Sequence, residues 1–215
     1  SFNELFLQNN PTALGNPALD PETIDTTELV FDYQLNFDNH LVLNMYRFKA
    51  KDLIDKAPVP GTSFLQTANV FDLDGKGAEF EWTYRPAALW RVDFNFAYQN
   101  TVNAATDQRV ANAPGKSASL RLYYDVNSDW QVSGWAHWIA DRRRATTDTR
   151  VPLADYQLWN LSLNYQPGSS PWRVKTTVRN LFDKMVYEPS GTAISNDFLM
   201  EGRSLHLQVS YNWQL

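Results

Sequence analysis

The C-terminal stretch LHLQVSYNWQL, from Leu205 to Leu215, alternates strictly between apolar and polar residues. Its apolar positions are Leu205, Leu207, Val209, Tyr211, Trp213 and Leu215. Successive side chains of a β-strand point to opposite faces of a sheet, so such a strand has one apolar and one polar face. The stretch therefore predicts a two-faced final strand.

Similar alternation recurs along the rest of the chain, whereas helical spacing of apolar residues is hard to find. The clear segments are 28 to 37, 78 to 85 and 89 to 99, and weaker ones lie near 40 to 50, 116 to 125, 130 to 140, 156 to 166 and 172 to 181. We predict about nine strands of roughly 9 to 12 residues, longer than is usual in globular proteins and close to the length that crosses a bilayer.

The predicted connections between these strands alternate between short and long. The short ones are 38 to 39, 86 to 88, 126 to 129 and 167 to 171; the long ones lie near 51 to 76, 100 to 115, 141 to 155 and 182 to 203. Short and long connections therefore emerge from opposite ends of the sheet. The pattern predicts an all-β fold, an antiparallel up-and-down transmembrane β-barrel.

A soluble β-sandwich that binds a ligand or glycan is the alternative, because its strands also alternate. Its exposed face would carry more Lys and Glu, whereas the polar face here is rich in Asn, Gln, Ser and Thr. Trp and Tyr residues cluster toward the predicted strand ends, as they do at membrane interfaces. These features favour the barrel, and detergent dependence would separate the two.

Composition excludes several classes of function. The chain has 24 acidic and 19 basic residues and a formal charge of −5, which argues against nucleic-acid binding. It has no Cys, so it offers no disulfide, thiolate metal site or Cys nucleophile. No Ser/His/Asp constellation, phosphate-binding Gly loop or helical metal pair is recognisable. We therefore predict no catalytic site, no cofactor and no metal site, and hence no enzyme.

The final strand fixes the expected orientation, because bacterial barrels leave the C-terminus in the periplasm beside the short turns. The connection 182 to 203 and the leading segment 1 to 25 are then expected to be extracellular loops. About nine strands cannot close a bacterial barrel, which has an even number of paired strands. We expect further strands upstream of this sequence.

Six stretches, in order along the chain, carry a resemblance to a known family. They are Ser1 to Phe6, Gly15 to Leu19, Pro21-Glu22 with Glu28, Gly77 with Glu79, Asn180 to Lys184, and Gly202 to Ser204 before the closing strand. Together they resemble the C-terminal barrel half of TonB-dependent outer-membrane receptors. Leu215 departs from the aromatic residue that usually ends outer-membrane proteins.

The resemblance implies a 22-stranded barrel in the outer membrane of a Gram-negative bacterium, of which residues 1–215 are the C-terminal part. The plug, the energy-coupling segment and the first strands would lie outside this sequence. Such a receptor imports a ferric siderophore, another iron complex, haem or cobalamin. Its partners are the TonB complex, reached through the N-terminal part, the barrel assembly machinery, and outer-membrane lipid with lipopolysaccharide.

Two sets of residues are candidate ligand contacts. Arg142, Arg143, Arg144 and Arg150 place four positive charges in one predicted extracellular loop. They could attract an anionic ferric siderophore or lipopolysaccharide phosphates, or be solvated. His137 is a possible haem ligand, or a polar wall residue. The stretch from Asn180 to Lys184 is interpreted as a strand exit whose Asn and Asp side chains bind backbone groups.

Overall fold

The computed structural model describes residues 1–8, 10, 12–168, 170–191 and 194–213. Its elements are α1 (Phe2–Phe6), β1 (Ala13–Leu14), β2 (Thr23–Asn36), β3 (Asn39–Pro58), β4 (Leu65–Ala87), β5 (Trp90–Asn103), β6 (Pro114–Asp125), β7 (Trp130–Arg142), β8 (Tyr156–Tyr165), β9 (Trp172–Arg179), β10 (Tyr187–Glu188), β11 (Phe198–Leu199) and β12 (Ser204–Tyr211). No helix in this part of the chain is long and apolar enough to cross a membrane.

The long strands form one sheet in the order β12-β9-β8-β7-β6-β5-β4-β3-β2. Each long strand lies beside the next long strand of the chain, which confirms the predicted up-and-down meander. The final strand ends at Tyr211, earlier than predicted, and Gln214 and Leu215 lie outside the described residues. The chain divides into two compact units.

The first unit comprises Ser1–Leu29, Met45–Gly77 and Asn100–Val110. Its leading segment, predicted as a loop from 1 to 25, contains α1 and a strand, β1, that pairs in parallel with β4. The Thr67 hydroxyl donates to the Glu4 carbonyl at 2.6 Å. A Cβ on Gly15 would lie 2.6 Å from the Leu7 backbone nitrogen, so this close approach requires glycine.

The predicted long loop from 51 to 76 is wrong, because β3 continues to Pro58 and β4 begins at Leu65. The turn between them is residues 59–64, where the Val59 N–H donates to the Phe64 carbonyl at 3.0 Å. A β-ladder needs only backbone hydrogen bonds. Polar residues on both faces of this hairpin, such as Lys51, Asp52 and Asp55, leave no alternation to detect.

The second unit comprises Val30–Asn44, Ala78–Gln99 and Ala111–Leu215, and its two sheet faces differ in burial. On β8, Ser162 is 1% exposed, whereas its neighbours Leu161 and Leu163 on the opposite face are 43% and 40% exposed. The Ser162 hydroxyl lies 2.8 Å from the Thr177 hydroxyl of β9. A sandwich would bury the leucines, so this pattern excludes it and fits a sheet whose apolar face contacts lipid.

Aromatic pairs line the apolar face beside the short turns. Trp90 of β5 stacks on Tyr124 of β6, and Trp130 of β7 packs on Tyr165 of β8, each with ring centroids 4.4 Å apart. Trp172 of β9 meets Tyr211 of β12 edge to face at 4.8 Å. One Trp–Tyr pair thus recurs on three successive strand pairs, β5–β6, β7–β8 and β9–β12, which is the arrangement of an interfacial aromatic girdle.

Candidate site at the long-loop rim

Arg142, the last residue of β7, is buried at the opposite rim and contacts the loop that follows β9. Its side chain is 3% exposed, and its Nη1 donates to Glu188 Oε2 at 3.0 Å. The guanidinium carbon lies 4.9 Å from the centroid of the Tyr156 ring, a cation–π contact. The Tyr156 hydroxyl donates to the other Glu188 oxygen at 2.9 Å. Arg142 therefore ties the end of β7 to β10.

Arg144, Asp148, Arg150 and Asp197 form what we name the Arg–Asp cluster. Arg144 is in the loop 143–155 and donates through Nη1 and Nη2 to the two carboxylate oxygens of Asp197, a bidentate pair. Arg150 donates to both oxygens of Asp148 at 2.9 and 2.7 Å. Planar guanidinium groups match carboxylates in this fork geometry, which fixes orientation as well as charge.

The cluster joins two loops that are far apart in sequence. Arg150 also donates to the Ser190 hydroxyl at 2.7 Å and to the Ser190 carbonyl at 3.0 Å, and Asp197 Oδ1 accepts from the Ser190 N–H at 3.3 Å. The loop 143–155 is thus held against the loop 180–203 by hydrogen bonds that involve both side chains and backbone.

The charges of the cluster are balanced. Hydrogen bonds from Arg150 hold the pKa of Asp148 well below its usual value, and hydrogen bonds from Arg144 lower the pKa of Asp197. Both carboxylates are therefore ionised at neutral pH. Together with Glu188 they oppose the positive charges of Arg142, Arg144 and Arg150.

Arg143 differs from the other three predicted arginines. Its side chain is 63% exposed, and its Nε lies 3.5 Å from Asp141. Asp141 has a positive φ of 56°, a local break in the strand just before the loop begins. The structure therefore brings Arg142, Arg144 and Arg150 into contacts within the protein and leaves Arg143 at the surface.

The acidic partners were not predicted from the sequence. Asp148 could have been noticed, because it lies two residues before Arg150. Glu188 and Asp197 could not, because they follow their arginines by 46 and 53 residues and belong to no motif.

The predicted strand exit at Asn180 is confirmed. Asn180 is buried, and its amide donates to the Lys184 and Glu201 carbonyls at 2.9 and 3.3 Å while its oxygen accepts from the Lys184 N–H. Asp183 accepts from the Arg203 N–H at 2.7 Å. Asn180 and Asp183 both have positive φ, which Asn and Asp tolerate.

His137 lies on the polar face of β7, where Ser119 of β6 and Leu158 of β8 are its partners in register. It lines a depression of about 210 Å³ together with Glu79 and Glu81. In the part of the chain that the structure describes, no group of three or more His, Cys, Asp or Glu residues could hold a metal ion. Haem ligation by His137 stays a prediction.

An antiparallel meander with an exposed apolar face, an aromatic girdle at one rim and long loops at the other defines the wall of an outer-membrane β-barrel. The chain belongs to the family described as TonB dependent receptor-like, beta-barrel, whose model matches residues 1–181. Proteins of this family are receptors of the Gram-negative outer membrane and not enzymes, so the chain lies in that membrane, as the sequence predicted.

Solved structures share this fold. The copper transporter OprC is 20% identical with a TM-score of 0.79, and the match covers 98% of this chain and 35% of OprC. The ferric-catecholate import receptor Fiu from E. coli K12 is 17% identical with a TM-score of 0.72, covering 97% and 31%.

The ferric enterobactin receptor PfeA from Pseudomonas aeruginosa is 20% identical with a TM-score of 0.75, covering 93% and 32%. The chain therefore spans about a third of the length of these proteins. No curated protein matches the sequence.

Proposed function

We propose that the chain is the C-terminal part of the barrel of a receptor that imports a scarce nutrient with energy from the TonB complex, and that this nutrient is a ferric siderophore or another iron complex. The family membership and the exposed apolar face of the second unit support this role. The proteins of similar structure include a copper transporter and a ferric-catecholate import receptor, so the nutrient itself belongs to the proposal. The plug and the TonB contact would come from sequence outside this chain.

Within that role we assign different tasks to the predicted arginines. Arg142, Arg144 and Arg150 hold the two long loops together, because carboxylates already neutralise their charge. Arg143 also has a carboxylate nearby, that of Asp141 at 3.5 Å, but its side chain is 63% exposed, so its guanidinium can still contact an anionic ligand. The loops thus supply a preorganised wall, which lowers the entropy lost when a ligand binds.

Uptake of a labelled ferric siderophore by cells that express the full receptor tests this assignment. We expect Arg143→Gln to weaken the apparent affinity for the siderophore in this assay by up to about fivefold, which is the range for one exposed ion pair. The effect should become smaller as the salt concentration rises. Arg173→Gln, which removes the same charge from β9, is the matched control and leaves binding unchanged. Unaltered affinity in Arg143→Gln would remove this residue from the site, and absence of energised uptake of any iron complex would contradict the proposed function.

A further inference from the structure

The hairpin of β3 and β4 continues well past the apolar part of the sheet. Apolar residues at alternate positions of β3 end at Met45, and Arg47 and Lys49 follow on the same face. These charges place the rest of the hairpin outside the hydrocarbon of the membrane. We name residues 47–76 the arm, which lies within the first unit. At about 3.3 Å per residue, its β3 strand runs for roughly 40 Å.

The arm has a free edge on each side, because the neighbouring strands of the described chain are shorter. On the β4 side, β5 ends where the Ala104 N–H donates to the Asp72 carbonyl at 2.9 Å, so residues 65–71 extend past β5. On the β3 side, β2 begins only at Thr23. Free edges expose unpaired backbone groups, and a two-stranded hairpin is marginally stable by itself. The arm therefore needs further contacts to stay ordered.

The leading segment makes contacts at both edges of the arm. β1 pairs in parallel with Leu65 and Gln66 of β4, beyond the end of β5, and the Leu65 N–H donates to the Thr12 carbonyl at 3.0 Å. At the other edge, the Glu22 carboxylate accepts from the Ile54 N–H of β3 at 2.7 Å, one residue before β2 begins. The leading segment therefore crosses the arm from one edge to the other.

Asn69 of β4 binds the leading segment where it crosses. Its Oδ1 accepts from the Asp20 N–H at 3.0 Å, and its Nδ2 donates to the Asp20 carbonyl at 3.0 Å and to the Asp52 carbonyl of β3 at 2.5 Å. On the same strand, the Thr67 hydroxyl donates to the Glu4 carbonyl at 2.6 Å. One amide side chain thus joins β4 to both the leading segment and β3.

We propose that residues 1–8, 10 and 12–22, which we name the strap, hold the arm in one position before any ligand binds, and that Asn69 is the residue that fastens them. Opening of the arm then requires release of the strap and not unfolding of the sheet, because the contacts that hold it are local. The arm is a preformed projection of the receptor, whatever nutrient the receptor imports.

Limited trypsin digestion of the full receptor, purified in mild detergent, tests the proposal, because cleavage within a strand requires local opening. The strap contains no Lys or Arg, so trypsin does not cut it, and cleavage after Lys56 reports opening of the arm. We expect Asn69→Ala to speed this cleavage by about tenfold or more, since it loses three hydrogen bonds worth roughly two- to tenfold each.

The matched control is Asn100→Ala, which removes an amide from β5 in the same unit and, among the described contacts, no bond to the strap. Its cleavage rate after Lys56 should equal that of the unmodified receptor. Cleavage in Asn69→Ala no faster than in Asn100→Ala would overturn the proposal.

Gly15→Ala tests the strap at a second place. A Cβ at this position would lie 2.6 Å from the Leu7 nitrogen and 2.8 Å from the Leu5 carbonyl oxygen, so the strap must shift. We expect faster cleavage after Lys56, with hydrogen exchange of β7 and β8 unchanged. Gly168→Ala is the control, because no described atom lies within 4 Å of the Cβ that it adds. Unchanged cleavage, or equally accelerated exchange in β7 and β8, would contradict a strap that holds only the arm.

Discussion

The two rims of the second unit are stabilised by different chemistry. At the short turns, the same contact recurs on successive hairpins, a Trp of one strand against a Tyr of its neighbour. At the long loops, Arg144 and Arg150 bind Asp148 and Asp197 in a cluster that has no counterpart elsewhere among the described residues. The contacts at the first rim reflect an environment that every strand shares, the membrane interface, whereas the contacts at the second rim are particular to these two loops.

The two kinds of contact also contribute differently to the free energy of unfolding. An aromatic pair contributes about 0.5 to 1.5 kcal/mol beyond its buried area, and it stabilises the sheet itself. Ion pairs near a surface contribute little to overall stability, but a bidentate, hydrogen-bonded cluster restricts the geometry of the groups that it joins. We therefore expect the first rim to affect unfolding of the barrel and the second to affect opening of the loops.

The largest expected effect lies between the rims, on the apolar face itself. Leu207 is exposed at the middle of β12, and Leu207→Arg should cost about 2 to 4 kcal/mol of unfolding free energy in lipid, because the charge would face hydrocarbon. Gln208→Arg, one residue away on the polar face, should cost much less. Reversible unfolding in liposomes measures both, and equal costs would mean that β12 does not face lipid.

Loss of the Arg–Asp cluster should separate the loops and leave the sheet intact. We expect Arg144→Gln to speed local opening of the two loops by roughly tenfold or more, the effect of losing a charge-assisted hydrogen bond. Hydrogen exchange resolved to peptides 143–155 and 194–203 measures this, and the exchange of β7 and β8 should not change. Arg143→Gln, which removes an exposed charge from the same loop, is the matched control and should not change the opening. Opening in Arg144→Gln no faster than in Arg143→Gln would show that the pair does not hold the loops.

A substitution in the aromatic girdle should destabilise the sheet and leave the opening of the loops unchanged. Trp130→Leu loses the contact with Tyr165 and should destabilise the sheet by about 0.5 to 1.5 kcal/mol more than Trp159→Leu does, with no change in loop opening. Trp159 is also on the apolar face of β8 but has no stacked ring partner among the described contacts, so it serves as the control. Faster loop exchange in Trp130→Leu would show that the two rims are coupled.

The smallest expected effect is that of mild acid on the loops. The folded pKa values of Asp148 and Asp197 are lowered, so their stabilisation is fully present above the unfolded value near 3.8 and is lost only as pH falls through the lowered values. Spin labels on Thr147→Cys and Asn196→Cys report the distance between the loops, and the chain has no cysteine of its own. The distance should be the same at pH 7 and pH 5, and separation within that range would contradict the assigned protonation states.

Features that repeat from strand to strand could be predicted from the sequence, whereas contacts that occur at one position could not. Alternation located the nine long strands and the short turns, because the lipid face imposes the same pattern on each strand. It missed the hairpin at 51–76, where polar residues occur on both faces and break the alternation. It identified the four arginines but not Glu188 or Asp197, because these contacts depend on loop conformations that no period encodes.

The central claim is that the apolar face of the second unit lies against lipid and the polar face does not. Power saturation of spin labels on Leu163→Cys and Asn164→Cys, neighbours on opposite faces of β8, tests it in the receptor reconstituted in lipid. The label at 163 should be relaxed by oxygen, which partitions into the bilayer, and the label at 164 by a water-soluble nickel complex. Equal relaxation at both positions, or the reverse assignment, would contradict the account.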